Sequence, residues 1–222
     1  MDPVLEQLKN GVRRFRSKVY PERAGLYAQA VQETQRPHTL FIACADSRVD
    51  PIEITQSAPG EVFVLRNIGN MVPAYGEMLG GNSAVIEYAV SLLGVRHAVI
   101  CAHTDCGAMK ALLDPASTEK MPSVRNWLTN AHAALTVAES FYERELRDSE
   151  VQEPPSRPLI DILTEQNVLL QLQHLKTHPS VARAVARGEL TLSGWVYAIG
   201  TGEVCIAKDG ERTFTPVTAA GS

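Results

Sequence analysis

The 222-residue chain has no apolar run approaching the ~18 to 20 residues needed to cross a bilayer. Its first residues, MDPVLEQLKNGVRRFRS, are charged and amphipathic and lack the apolar core of a secretory signal. A soluble, cytoplasmic protein is the expectation. Four cysteines are too few for a disulfide scaffold at this length, and in a reducing compartment a conspicuous pair of them points to metal binding or catalysis. An excess of positive charge is missing as well. The 21 Lys and Arg stand against 25 Asp and Glu, a formal net charge of -4, which excludes the electrostatic footprint of a nucleic-acid binder. There is no internal repeat and no low-complexity segment. What remains is 45% hydrophobic residues, enough for one sizeable core, and small-molecule chemistry as the functional class.

Leu5, Leu8, Val12, Phe15 and Val19 follow a 3-4-3-4 spacing that draws one narrow stripe along a helix, with Arg13, Arg14, Arg16 and Lys18 on other faces as a solvated basic surface. The stripe precedes the first core strand and needs a surface to cover it, on this chain or on a second copy. Thr39 to Ala43 (TLFIA), Glu61 to Arg66 (EVFVLR) and His97 to Ala102 (HAVICA) are short and apolar, suiting strands buried on both faces of a parallel sheet. Between the last two, Gly80 to Gly94 carries helical spacing, with Asn82 or Ser83 as N-cap and Gly94 as stop, so a right-handed strand-helix-strand crossover is implied. Met121 to Leu146 reads as one long helix, and Pro158 to Gly188 as a helical stretch broken near His178-Pro179. Arg147 to Arg157 is a polar surface connection. Leu190 to Ile199 and Glu203 to Lys208, joined by Gly200-Thr201-Gly202, form a hairpin, and the closing TAAGS should fray. The fold class is therefore α/β: a mostly parallel β-sheet flanked by helices, with an N-terminal helical arm and a C-terminal hairpin. One domain is expected over 1–222, made of an arm (1–36), a catalytic core (37–210) and a tail (211–222).

Two of the apolar runs end in a burst of chemistry. LFIACADSRVDP places Cys44, Asp46 and Arg48 at the end of one strand, and ICAHTDCGAM places His103 and Cys106 at the end of another. Ligands of an open parallel sheet bind beyond the carboxyl ends of its strands, so adjacent strands bring two thiols and an imidazole together. Two sulfurs and one nitrogen favour tetrahedral zinc, and three protein ligands leave a fourth position open, for water or for Asp46. Arg48 can pair with that same carboxylate, so Asp46 has two candidate partners. Cys101 and Cys205, inside apolar runs, read as core thiols.

Taken together, Cys44-x-Asp46-x-Arg48 and His103-x-x-Cys106-Gly107 resemble the β-class carbonic anhydrases, as do VLRNIGNMVP (64–73), IEYAV (86–90) and GWVYAIGTGEV (194–204). The resemblance covers about Leu5 to Lys208. It implies zinc held by Cys44, His103 and Cys106, with Asp46 and Arg48 as a catalytic dyad, and reversible hydration of carbon dioxide to bicarbonate by a zinc-activated water. It places Gln35 as an amide reaching the substrate across a dimer interface, Phe63, Ile68 and Tyr88 around an apolar carbon dioxide pocket, and Gly107 at the same substrate site. A homodimer or a dimer of dimers is implied, with no nucleic-acid or membrane partner. Related readings are a carbonyl sulfide or carbon disulfide hydrolase of the same family, and a non-catalytic zinc or assembly protein. Ala45 stands where serine is usual, and Ser193 where histidine often precedes Gly-Trp. Some members close the site by moving the aspartate from the arginine onto zinc (Asp46 would then be a fourth ligand), and carry a tryptophan three residues before the first cysteine. Here that residue is Phe41, which has no donor to offer a regulatory bicarbonate, so the open arrangement is expected, with Asp46 on Arg48. Among His38, His97, His132, His174 and His178, no spacing marks a proton shuttle.

Overall fold

A computed structural model describes residues 2–32, 34–76, 80–148 and 157–218. The chain starts as a helix because Asp2 caps it, accepting the Val4 N–H at 2.9 Å, and Pro3 fills the first helical position, where no N–H is needed. Helix α1 (Pro3–Arg14) runs through a π-turn (Phe15–Val19) into α2 (Tyr20–Gln32), forming the expected arm. The stripe Leu5, Leu8, Val12, Phe15 and Val19 lies 38% to 64% exposed, so the chain itself does not cover it.

Among the described residues, six strands form one sheet in the order β2-β1-β3-β4-β5-β6. Strand β1 (Thr39–Cys44) pairs parallel with β2 (Val62–Asn67) and with β3 (His97–His103), and β3 pairs parallel with β4 (Thr191–Tyr197). Strand β5 (Val204–Lys208) returns antiparallel to β4 as the expected hairpin, and β6 (Thr215–Pro216) pairs antiparallel with β5. That last pair draws part of the expected tail into the sheet; TAAGS lies outside the described residues apart from Thr218.

Alternation along the strands divides the core. Leu40, Ile42, Ala98, Ile100 and Ala102 face one side, packed with Val168, Leu172 and Leu175 of α8 (Leu159–Thr177), Val181 of α9 (Pro179–Ala186) and Ile86 of α4 (Gly81–Glu87). Phe41, Ala43, Val99 and Cys101 face the other side, beside Trp195 and Val49, which leads into α3 (Pro51–Thr55). A third cluster surrounds Cys44 and Cys106 with residues of α5 (Gly107–Leu113), α6 (Pro122–Leu128), α7 (His132–Asp148) and α8.

Three expectations need correction. Strand β2 is not buried on both faces: it is the sheet's edge, and Val64 is 37% exposed. The long helix over 121–146 is broken at Thr129–Ala131, where Thr129 Oγ1 donates to Asn126 O and Asn130 Nδ2 to Trp127 O, tightening the chain into a 3₁₀ turn. Helix α4 starts from Gly80 rather than from Asn82 or Ser83, while Gly94, at φ +66°, ends the helical stretch as expected. Most of the connection 147–157 lies outside the described residues.

Helix α8 fixes the loop that follows β2. Gln171 accepts the Val72 N–H at 2.8 Å and donates to Asn130 O, while Asn167 donates to Gly69 O at 3.1 Å. Both amides are fully buried and satisfy backbone groups that would otherwise be stranded in the core. On the adjoining side α8 meets Gly194 of β4, where an added Cβ would stand closer than 3.0 Å to Val168 Cγ1 and 3.2 Å from Leu172 Cδ1. The helix rests directly on the strand backbone.

Candidate metal centre

Cys44 is the last residue of β1 and His103 the last of β3, both where the parallel sheet runs out. Cys106 precedes α5 as its N-cap. The two Sγ atoms and a ring nitrogen of His103 lie within 4.8 Å of one another, and all three residues are buried. Donors held tetrahedrally around one ion at Zn–S and Zn–N lengths stand roughly 3.5 to 3.8 Å apart, so the set needs little adjustment to close on a cation.

The imidazole is prepared for such a role. Its Nδ1 lies 2.8 Å from Thr104 O; a carbonyl only accepts, so Nδ1 carries the proton and Nε2 is left with its lone pair. That Nε2 is fully buried and has no hydrogen-bond partner among the described residues. An orphaned buried acceptor facing two thiols is costly unless a cation or a proton fills the space. The thiols are unequal. Hydrogen bonding from Cys106, aided by His103, pulls the Cys44 pKa down to about 4 against the opposing effect of burial. The hydrogen bond to Cys44, with burial and then the Cys44 charge, holds the Cys106 thiol well above its ordinary range. Burial opposes charging of His103, but its contacts with Cys44 and Thr104 O carry its pKa upward overall. The set thus concentrates negative charge where a soft or borderline cation suits thiolate and imidazole. By contrast, burial pushes the Cys101 thiol up to about 12, in keeping with a core residue.

Asp46 and Arg48 form a two-point ion pair beside this set. Arg48 Nε donates to Asp46 Oδ1 at 2.9 Å and Nη2 to Oδ2 at 2.8 Å, and the Arg48 backbone N–H adds a third bond to Oδ1. These bonds hold the Asp46 carboxyl well below the usual carboxylate range. Asp46 Oδ2 is nevertheless 3.8 Å from His103 Nε2, at the margin of the ligand set.

The remaining expected residues are only partly brought together. Ile68 lines an apolar pocket of about 420 Å³ with Ala45, Asn67, Ser123, Val124 and Trp127; the Trp127 indole N–H donates to Ile68 O at 2.8 Å. Phe63 and Tyr88 stack on each other, ring centres 6.0 Å apart, and are not in that lining. Gly107 opens α5 directly after Cys106, with no neighbour within 4 Å of an added Cβ. Gln35 is exposed and precedes β1, whereas Cys44 ends it; six strand residues put the two at opposite ends, about 17 Å of strand apart. Phe41 is fully buried, edge-on to Trp195. Ser193 accepts the Trp195 indole N–H and lies 2.8 Å from His97 Nε2.

Sequence reasoning missed several residues. Arg66 donates to Cys44 O at 3.0 Å and to Asp46 O at 2.6 Å, clamping the loop that carries the first thiol. Asp105, between His103 and Cys106, accepts from Arg48 Nη1 at 2.8 Å and from Lys110. Trp127 comes from a helix with no motif to mark it.

A sequence model of the family described as carbonic anhydrase matches residues 39–204. Among curated proteins, the carbonic anhydrase of Pseudomonas aeruginosa is 42% identical over 210 residues, spanning 95% of this chain and 90% of its own. Carbonic anhydrase 1 of Escherichia coli O157:H7 is 40% identical, spanning 97% and 93%. Among solved structures, the β-carbonic anhydrase CcaA superposes with a TM-score of 0.86 at 36% identity, covering 97% of this chain and 93% of the other. A tetrameric β-carbonic anhydrase of Sordaria macrospora gives 0.75 at 25% identity, covering 95% and 98%.

Proposed function

We propose, for a chain that belongs to the β-carbonic anhydrase family and is on that ground a carbonate dehydratase, a lyase, that it holds one zinc ion through Cys44, His103 and Cys106 and hydrates carbon dioxide reversibly to bicarbonate and a proton. The observation that carries this reading is the convergence of two buried thiols and an imidazole of fixed tautomer beside an ionised, arginine-held carboxylate. Zinc, when bound, supplies a Lewis acid that makes a water acidic enough to act as nucleophile near neutral pH.

The chain's own residues do the rest. Thr104 O holds the His103 ring so that Nε2 presents its lone pair. Asp46, kept ionised by Arg48, accepts a hydrogen bond from the reacting water and aims its lone pair, while the two-point grip of Arg48 keeps the carboxylate off the ligand set. Carbon dioxide has neither charge nor hydrogen to donate, and the open apolar wall of Ile68, Val124 and Trp127, beginning at Ala45 between Cys44 and Asp46, offers it an apolar surface beside the thiols. The family pattern assigns Phe63, Tyr88 and Gly107 to the substrate site as well, although Phe63 and Tyr88 lie outside this wall within one chain.

We read the working enzyme as a homodimer or a dimer of dimers. The exposed stripe of α1, and Gln35 standing at the far end of β1 from its own thiols, support an arrangement in which Gln35 serves the site of a second copy. The segments 1–36, 37–210 and 211–222 act as arm, catalytic core and tail. Free thiols at the centre of the chemistry favour the reducing cytoplasm as its place of work; among the described residues, no helix is long and apolar enough to cross a membrane.

The test is zinc content together with stopped-flow carbon dioxide hydration on the purified protein. One zinc per chain and hydration abolished by chelation are expected. A zinc-loaded protein that releases sulfide from carbonyl sulfide but does not hydrate carbon dioxide overturns the substrate assignment.

A further inference from the structure

We propose that Asp105 is a positioning residue: it holds the Arg48 guanidinium from the side opposite Asp46 and so fixes where the Asp46 carboxylate points. This rests on the reading of Asp46 and Arg48 as the catalytic dyad and adds the residue that keeps the dyad in register.

Arg48 is not a simple partner of Asp46. It lies between two carboxylates that arrive on different loops, Asp46 from the end of β1 and Asp105 from the end of β3. Nε and Nη2 hold Asp46 at 2.9 and 2.8 Å. Nη1 holds Asp105 Oδ2 at 2.8 Å, and Nη2 also reaches Asp105 O at 3.3 Å. Four of the five guanidinium N–H groups are thereby engaged, and the planar fork is tied at both edges. Asp105 is itself held: its second carboxylate oxygen takes Lys110 Nζ from the last turn of α5. It reaches this place in the left-handed region, at φ +61°, which aspartate tolerates better than most residues.

An exposed ion pair normally does little for stability, and Asp105, Arg48 and Lys110 are each about half exposed. The arrangement matters for orientation instead. Held by Asp46 alone, the guanidinium and carboxylate move as one unit, and Asp46 Oδ2 has only 3.8 Å to cross before it meets His103 Nε2. Anchoring the guanidinium on Asp105 removes that freedom, because the fork can follow Asp46 only by giving up its second partner. Arg48 and Asp105 also link the two loops that carry the thiols and the imidazole.

The experiment compares the zinc-loaded full-length protein with Asp105→Gly and Asp105→Asn, both at ease at positive φ, and with Asp46→Asn. Hydrogen exchange of the Arg48 Nε–H, followed by NMR and assigned through Arg48→Lys, reports the grip independently of activity. Asp105→Gly should retain one zinc per chain and an unchanged melting temperature, lose roughly fivefold or more in kcat/KM, and speed Nε–H exchange by about the same factor. Asp105→Asn, which keeps one acceptor for Nη1, should recover part of both. Loss of zinc in Asp105→Gly overturns the proposal in favour of a role in the metal loop. So does a kcat/KM within about twofold of the parent with unaltered exchange, when Asp46→Asn is slow. If Asp46→Asn is also as fast as the parent, the dyad reading falls, and this proposal with it.

Discussion

Replacing Gly194 with alanine should unsettle the metal site's surroundings without touching it. The new Cβ would stand closer than 3.0 Å to Val168 Cγ1, against an ordinary carbon separation of about 3.5 to 4.0 Å, so α8 or β4 must yield by about 1 Å. Val168 and Leu172 are fully buried on one face of α8 and cannot turn away. Overpacking of this kind costs about 1 to 3 kcal/mol. Removing a glycine from a strand returns about 0.5 to 1 kcal/mol of that through the unfolded chain. The middle of each range leaves a net loss of about 1 kcal/mol, which should lower the melting temperature by roughly 2 to 4 °C for a chain of this size. Because α8 also carries Asn167 and Gln171, the loop from Gly69 to Val72 should loosen, seen as faster amide exchange at Val72. Urea unfolding at fixed protein concentration measures the loss. Val168→Ala, which removes the methyl groups in the way, should recover at least about 1 kcal/mol in the double variant relative to the sum of the singles. A Gly194→Ala protein as stable as its parent, or strict additivity with Val168→Ala, would falsify the close approach of helix and strand.

Cys106→Ser should lose zinc and hydration activity together, measured by metal analysis and stopped flow; a full zinc equivalent with normal turnover would show that the ligand set is wrong. Asp46→Asn should keep its zinc but lose roughly 10- to 100-fold in kcat/KM, since the amide preserves shape and forfeits the charge that orients the water; in a crystal of the zinc-loaded parent near neutral pH, Asp46 should sit on Arg48 rather than at the ~2.0 to 2.2 Å of a zinc bond. Deleting residues 1–20 should shift the sedimentation coefficient toward a smaller particle and lower activity, and a fully active deletion protein of unchanged size would remove the arm from the interface.

The strands and the clustering of Cys44, His103 and Cys106 were legible because both follow from short-range rules. TLFIA and HAVICA can only be buried, and a thiol or imidazole on the first residues past such a run must stand at the sheet's rim. Asp105 was not legible in the same way. HTDC shows an acid between His103 and Cys106, but its partner Arg48 is 57 positions away, and the contact depends on a backbone at φ +61°. Nothing in the sequence marks Asn167 and Gln171, two amides buried in α8 to satisfy the loop after β2. The break at Thr129 was hidden because the residues on either side favour helix, and the competing side-chain bonds are local chemistry that periodicity does not report. Gln35 was found only through resemblance, since within one chain it lies far from everything it is expected to serve.

The strand order also bears on how fast the sheet can close. Thr39 of β1 pairs with His97 of β3, 58 positions on, and His97 pairs with Thr191 of β4, 94 positions further. Each of these parallel ladders must close a long loop before its first hydrogen bond forms, which makes them slow steps. The β4–β5 hairpin needs only the few residues between Tyr197 and Val204, so it can form early and wait. The thiols and imidazole sit at the ends of β1 and β3, the pair that closes late, and until then Cys44 and Cys106 are reactive groups on a mobile chain. If Cys44, His103 and Cys106 hold zinc as proposed, zinc supplied during this interval should capture both loops at once, and metal supply should then raise the yield of folded protein.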